Sequence, residues 1–238
     1  MQPSGQSALP GRGGIDLWEI ATDQDRDDIP SDDLLSEGER QRAARFATAT
    51  LRRRWSSARS GLRRVLSAYA GVAPRELAFV AATDGKLGLA AGCGPAGLRF
   101  NLSHSDGLAL CAVTVGAEIG VDVEHMRALD ERDALAAEIM TAAELELFAR
   151  AASAERSQLF FRSWTMKEAL SKAIGVGLGL PFNRIEVGFG DEATIACADR
   201  IWHLHALACP TGFAGAVALE TKIVALRRQS LSSAADHA

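Results

Sequence analysis

Apolar residues recur along the chain with two periods, and the places where one gives way to the other mark the elements. Period-2 or continuous apolar runs predict strands at residues 15–20, 77–80, 107–115, 119–124, 184–189, 201–207 and 214–219. Between them lie helical patterns. Ser36-Glu-Gly-Glu39 has the form of a capping box and opens a short helix over residues 40–46. A longer helix over 50–70 stops at Gly71, and Thr141-Ala-Ala-Glu144 is a second capping box after a loop. From 154 to 174, Leu159, Met166, Leu170 and Ala173 keep helical spacing up to a stop at Gly175. A helix followed by strands occurs twice, so the pattern predicts an α+β fold in two halves, residues 15–117 and 118–228, without a residue-level repeat. Residues 1–14 and 229–238 are rich in small and polar residues and are expected to be disordered tails.

Composition narrows the classes. With 238 residues, 47% of them hydrophobic, the chain can bury a full core in one domain or two small ones. No run approaches the 18 or so apolar residues needed to span a bilayer, and the N-terminus lacks a basic stretch followed by an apolar one. The expected location is therefore cytoplasmic, with no membrane partner. Nine arginines and no acid fall within residues 40–64, yet the net charge is −4, which argues against a nucleic-acid partner. Cys93, Cys111, Cys197 and Cys209 are scattered without C-x-x-C spacing, so neither a disulfide frame nor a zinc site is expected. His203-Leu-His205 has strand alternation but no third ligand near it in sequence.

Two segments carry candidate chemistry. In Ile119-Gly-Val-Asp-Val-Glu124, period 2 puts Asp122 and Glu124 on one face of a strand, where their charges repel. A hard divalent cation relieves such repulsion and leaves coordination positions for water and substrate phosphate. An isolated D-x-E is more often a pair of solvent-facing acids at a strand end. In Trp164-Thr-Met-Lys-Glu-Ala-Leu-Ser-Lys172, Trp164, Glu168 and Lys172 fall at i, i+4 and i+8 on one helix face. Glu168 is then a candidate metal ligand or base, and Lys172 a candidate phosphate contact one turn on. Alone, Glu168 and Lys172 would read as a surface ion pair. Lys167 points elsewhere and is the weaker lysine candidate.

Together the segments resemble the surfactin-type 4′-phosphopantetheinyl transferases, whose pattern is G-x-D-x-E followed by W-x-x-K-E-A-x-x-K. Phe100-Asn-Leu-Ser-His-Ser105 adds to the likeness. So does Asp84-Gly-Lys86, which is similar to the family's G-K-P with Leu87 in place of proline. The resemblance implies a pseudo-twofold fold of two similar α/β halves with the site between them. It implies a monomeric holo-[acyl-carrier-protein] synthase that moves the phosphopantetheine arm of coenzyme A to a serine of an apo acyl or peptidyl carrier protein. The ion would be Mg²⁺ or Mn²⁺, and the by-product adenosine 3′,5′-bisphosphate. By motif, Asp122, Glu124 and Glu168 form the metal set, while Asp122, Glu168 and Lys172 carry catalysis. Arg42, Arg53, Arg54, Lys86, Ser103, His104, Lys167 and Lys172 are the coenzyme A contacts. His104, flanked by serines at a loop-to-strand junction, reads as a phosphate hydrogen-bond donor. Fatty-acid, polyketide and nonribosomal peptide carriers are all compatible acceptors.

Two other readings compete. A non-catalytic module would bind coenzyme A or a carrier protein without adding mass to the carrier. A Mg²⁺-dependent nucleotide hydrolase would need no protein acceptor, but it would need a positioned water that nothing here specifies.

Overall fold

The computed structural model describes residues 7–23, 31–82 and 85–231. Its first sheet contains β1 (Gly14–Ala21), β4 (Leu98–Ser105), β5 (Leu108–Val115) and β10 (Ala225–Ser230), in the order β10-β1-β5-β4. Only the β1–β10 pair is parallel. The second sheet is antiparallel, in the order β6 (Ile119–His125), β9 (Phe213–Leu219), β8 (Arg200–Leu207) and β7 (Glu192–Cys197). A two-stranded ribbon pairs β2 (Phe79–Ala81) with β3 (Leu87–Leu89). The helices are α1 (Glu37–Ala43), α2 (Ala49–Ala70), α3 (Arg132–Ile139), α4 (Ala142–Arg150) and α5 (Ser153–Ile174).

These elements stack as helix, sheet, sheet, helix. On one face of the first sheet, Leu62, Val65, Leu66 and Tyr69 of α2 cover Ile20, Phe100, Ala109 and Cys111. The other face, with Ile15, Leu17, Leu110 and Ala112, meets Ile119, Val121, Val123 and Val217 of the second sheet. Beyond that sheet, Met166, Ala169, Leu170 and Ala173 of α5 pack on Trp202, Leu204, Ala216 and Ala218. Strand β5 is covered on both sides, which is why its sequence is a continuous apolar run. The architecture is the expected α+β class. Among the described residues no helix is long and apolar enough to cross a membrane, and all four cysteines are free.

Both capping boxes form, at Ser36/Glu39 and Thr141/Glu144, and Gly71 and Gly175 end α2 and α5 in the left-handed conformation. The strand expected at 184–189 does not. After a 3-10 turn at Phe182–Arg184 the backbone N–H groups of Val187 and Gly188 donate to the Glu144 carboxylate, at 2.8 and 3.0 Å, so they have no strand partner. Helix α3 occupies part of the expected loop before Thr141, and β3, β4, β7 and β10 were not anticipated.

Some residues of the expected tails belong to ordered elements. Gly14 opens β1, Ser7 N–H donates to the Ala68 carbonyl at 2.9 Å, and β10 runs through Gln229 to Ser230. Residues 1–6 and 232–238 lie outside the described residues, as does Asp84. Strand β10 also joins the first sheet, not the second. Arg227 reaches the buried Asp16 through Nε at 2.6 Å and Nη2 at 2.8 Å, and Tyr69 donates to the same carboxylate at 2.7 Å. The strand is seated by its parallel ladder with β1, by Leu226 against the core and by this ion pair.

Helix α5 crosses β6 at Gly120. A Cβ there would fall well inside contact distance of the Ala169 carbonyl oxygen and the Ala173 nitrogen. Gly120→Ala is therefore expected to destabilise the protein by about 3 kcal/mol, the upper part of the overpacking range, because both obstacles are backbone. Urea denaturation checks this, and an unchanged midpoint would remove the close crossing.

Candidate functional site

The edge strands of the two sheets, β4 and β6, meet through side chains. Period 2 points Asn101, Ser103 and Ser105 toward β6. The Asn101 carbonyl accepts from Val121 N–H at 2.9 Å, Ser103 Oγ from Val123 N–H at 3.4 Å, and Ser105 Oγ from His125 N–H at 3.0 Å. Three side chains thus satisfy alternate backbone donors of β6 on the edge away from β9. The serine hydroxyls then donate onward, Ser103 to Asp122 Oδ1 and Ser105 to Glu124 Oε2, each at 2.9 Å. These rungs seat the acid strand and orient both of its carboxylates.

Gly120 brings α5 down onto the same strand, which sets Glu168 and Lys172 beside the acids. Lys172 Nζ reaches Asp122 Oδ1 at 2.5 Å and Ser103 Oγ at 3.0 Å. Asp122 is only 2% exposed. Its Oδ2 and Glu168 Oε1 are buried with no hydrogen-bond partner among the described residues. Burial raises the Glu168 pKa, and the charges of Asp122 and Glu124 add to the effect. Glu124 is raised likewise, by burial and then by Asp122. Two unpartnered buried oxygens and mutual repulsion among three acids are the chemistry of a hard-cation donor set. Among the described residues, however, no group of three His, Cys, Asp or Glu side chains converges closely enough to hold a metal ion as placed.

On the other face of β4, His104 opens into a cleft of about 810 Å³. It is part of a strand, not of a loop-to-strand junction. Loss of solvation, followed by the Lys172 charge, lowers its pKa. Arg42, Arg59, Arg63 and Arg75 line the same cleft. Arg59 and Arg63 form its floor, both paired with Glu39 and stacked on the Phe79 ring at 4.5 and 5.1 Å. Arg42 lies over Trp55 at 5.7 Å. Neither Arg42 nor Arg75 has an ion-pair partner among the described residues. Sequence reasoning missed Arg59, Arg63 and Arg75. A signal existed for the first two, because an acid in the Ser36–Glu39 box needs counter-charges once buried.

Four expected contacts lie elsewhere. Lys167 is fully buried, and its three donors go to Glu144 at 2.5 Å and the carbonyls of Ile139 and Phe182 at 2.7 and 3.1 Å. An ammonium has only three donors, so this lysine serves the core and not a phosphate. Arg54 is held by Asp23 and Asp106. Arg53 is absent from the cleft lining, and its charge acts on Asp23. Lys86 ties Glu118, at 2.8 Å, to the Ala173 carbonyl near the C-terminal end of α5, at 2.9 Å.

Residues 118–218 match the model of the 4′-phosphopantetheinyl transferase superfamily. The chain is 39% identical over 167 residues to the 4′-phosphopantetheinyl transferase HetI of Nostoc sp., covering 69% of this chain and 70% of that one. It is 32% identical over 100 residues to the 4′-phosphopantetheinyl transferase gsp of Aneurinibacillus migulanus, covering 41% and 40%. A Bacillus subtilis 4′-phosphopantetheinyl transferase is 29% identical over 101 residues, covering 42% and 43%. The chain belongs to the 4′-phosphopantetheinyl transferase superfamily.

The cleft floor gives a pH prediction. Burial pushes the Glu39 pKa up, but the Ser36 N–H, Arg59 and Arg63 more than offset it and hold it below the ordinary value. A carboxylate depressed in the folded state contributes stability above its unfolded pKa and loses it as pH falls through the folded value. Glu39→Gln should therefore cost about 3 kcal/mol near neutral pH. In urea titrations across pH, the gap from wild type should close only below the ordinary carboxylate range. A gap independent of pH would contradict the pairing.

Proposed function

We propose that this chain is a holo-[acyl-carrier-protein] synthase. It transfers the 4′-phosphopantetheine arm of coenzyme A to a serine hydroxyl of an apo acyl or peptidyl carrier protein, depends on Mg²⁺, and releases adenosine 3′,5′-bisphosphate. The observation that carries the reading is one strand pair with two functional faces. β6 and α5 bring two unpartnered acid oxygens together with Lys172, and the far face of β4 opens into a cleft of arginines. A coenzyme A molecule needs both, since its pyrophosphate and its separate 3′-phosphate must be held at once.

Asp122, Glu124 and Glu168 would hold the Mg²⁺, for which Mn²⁺ could substitute, and the bound ion would offset the charge of the pyrophosphate. Lys172 is 30% exposed, and it steadies the pyrophosphate and the oxygen that leaves with the bisphosphate. The serine oxygen bonds to the β-phosphorus as that atom's bond to the bridging oxygen breaks. Glu168, directly or through a water, takes the serine proton. Arg42 and His104 hold the remaining phosphate. One chain supplies both faces, so a monomer suffices.

Intact-protein mass spectrometry of apo carrier proteins with coenzyme A and Mg²⁺ tests this. Wild type should add one phosphopantetheine mass, Asp122→Ala none, and Glu168→Gln should slow transfer by about 10²–10⁴-fold while coenzyme A binding persists in part. No mass gain on any acyl or peptidyl carrier, with coenzyme A binding intact, would make a binding module the better reading.

A further inference from the structure

Arg54 was expected on a phosphate, but it lies in a chain of charges that ends at the acid strand. Its Nε and Nη2 reach the two oxygens of Asp23 at 2.5 and 3.0 Å, and its Nη1 reaches Asp106 Oδ1 at 2.7 Å. The second oxygen of Asp106 meets His125 Nδ1 at 2.7 Å. Asp106 lies in the turn between β4 and β5 with a φ of +45°, an uncommon backbone for a residue with a side chain. Thr22 fixes that turn by donating to the Asp106 carbonyl at 2.9 Å. The chain therefore runs from α2, through the tip of β4, to the tip of β6.

Its end point is next to a candidate ligand. Ser105, one residue before Asp106, accepts from His125 N–H at 3.0 Å and donates to Glu124 Oε2 at 2.9 Å. The Asp106–His125 contact thus clamps the two strand tips alongside the rung that aims Glu124. The four side chains are between 24% and 46% exposed, and ion pairs that open to water add little to stability. Fixing a geometry is what such a chain can do, and groups that orient ligand side chains govern metal affinity.

We propose that Arg54, Asp106 and His125 are positioning residues that hold Glu124 in place to bind a divalent cation. The proposal rests on the reading of Asp122, Glu124 and Glu168 as the metal set. Mn²⁺ is the probe. Its dissociation constant is read by electron paramagnetic resonance on the full chain without coenzyme A, and coenzyme A binding is measured separately by calorimetry without metal.

Arg54→Met, Asp106→Asn and His125→Phe should each weaken Mn²⁺ binding about tenfold, with coenzyme A affinity and unfolding midpoint close to wild type. Using three variants keeps the test open if one of them fails to fold. Unchanged Mn²⁺ affinity with weaker coenzyme A binding in Arg54→Met would return Arg54 to the substrate and overturn the proposal. A lower unfolding midpoint with unchanged Mn²⁺ affinity would reduce the chain to a brace and overturn it too. If wild type itself bound no Mn²⁺, the metal set would fail, and this role with it. Carrier-protein transfer, assayed separately, would then still report on the proposed activity.

Discussion

The structure depends on how two sheet edges are joined. Strands β4 and β6 share no backbone ladder. Asn101, Ser103 and Ser105 stand where a neighbouring strand's carbonyls would be and accept from alternate N–H groups of β6. An exposed sheet edge with free donors is a liability, and this arrangement closes it with side chains. It also has a chemical consequence, because a hydroxyl can accept and donate at once. The atoms that hold β6 in place are the atoms that orient Asp122 and Glu124.

Charge is distributed on either side of that seam by a consistent logic. Toward α5, the acids outnumber their partners. Lys172 compensates Asp122, while Glu168 and Glu124 are left with raised pKa values. Toward α2, the cations are in excess. Glu39 pairs with both floor arginines and so offsets one of their two charges, and Arg42 and Arg75 line the cleft with no ion-pair partner among the described residues. A buried charge is tolerated only with a partner, so it is on the acid side that a partner is missing, whereas Arg42 and Arg75 are exposed and solvated.

What could be read from the sequence follows from how local each signal is. Capping boxes, glycine stops and long periodic helices are decided within a few residues, and they appear where the pattern puts them. The acid strand and the lysine helix face carry their spacing in the sequence, so Asp122, Glu124, Glu168 and Lys172 could be brought together on paper. Strand β10 could not, because Arg227 is seated by Asp16 some 211 positions away. Lys167 and Arg54 misled for the same reason. A lysine beside a motif and an arginine in a basic run look alike whether they face a ligand or a carboxylate contributed by a distant segment. The strand expected at 184–189 failed because its N–H groups go to the Glu144 side chain, a pairing that alternation does not reveal.

The most direct test of the central claim is native-state amide hydrogen exchange at Val121 and His125, in wild type and in Ser105→Ala. If side-chain rungs close the β6 edge, both amides are protected in wild type to nearly the level of β5, and Ser105→Ala releases His125 while Val121 stays slow. Fast, edge-like exchange at both amides in wild type would contradict it, and the carboxylates would then need another explanation for their placement.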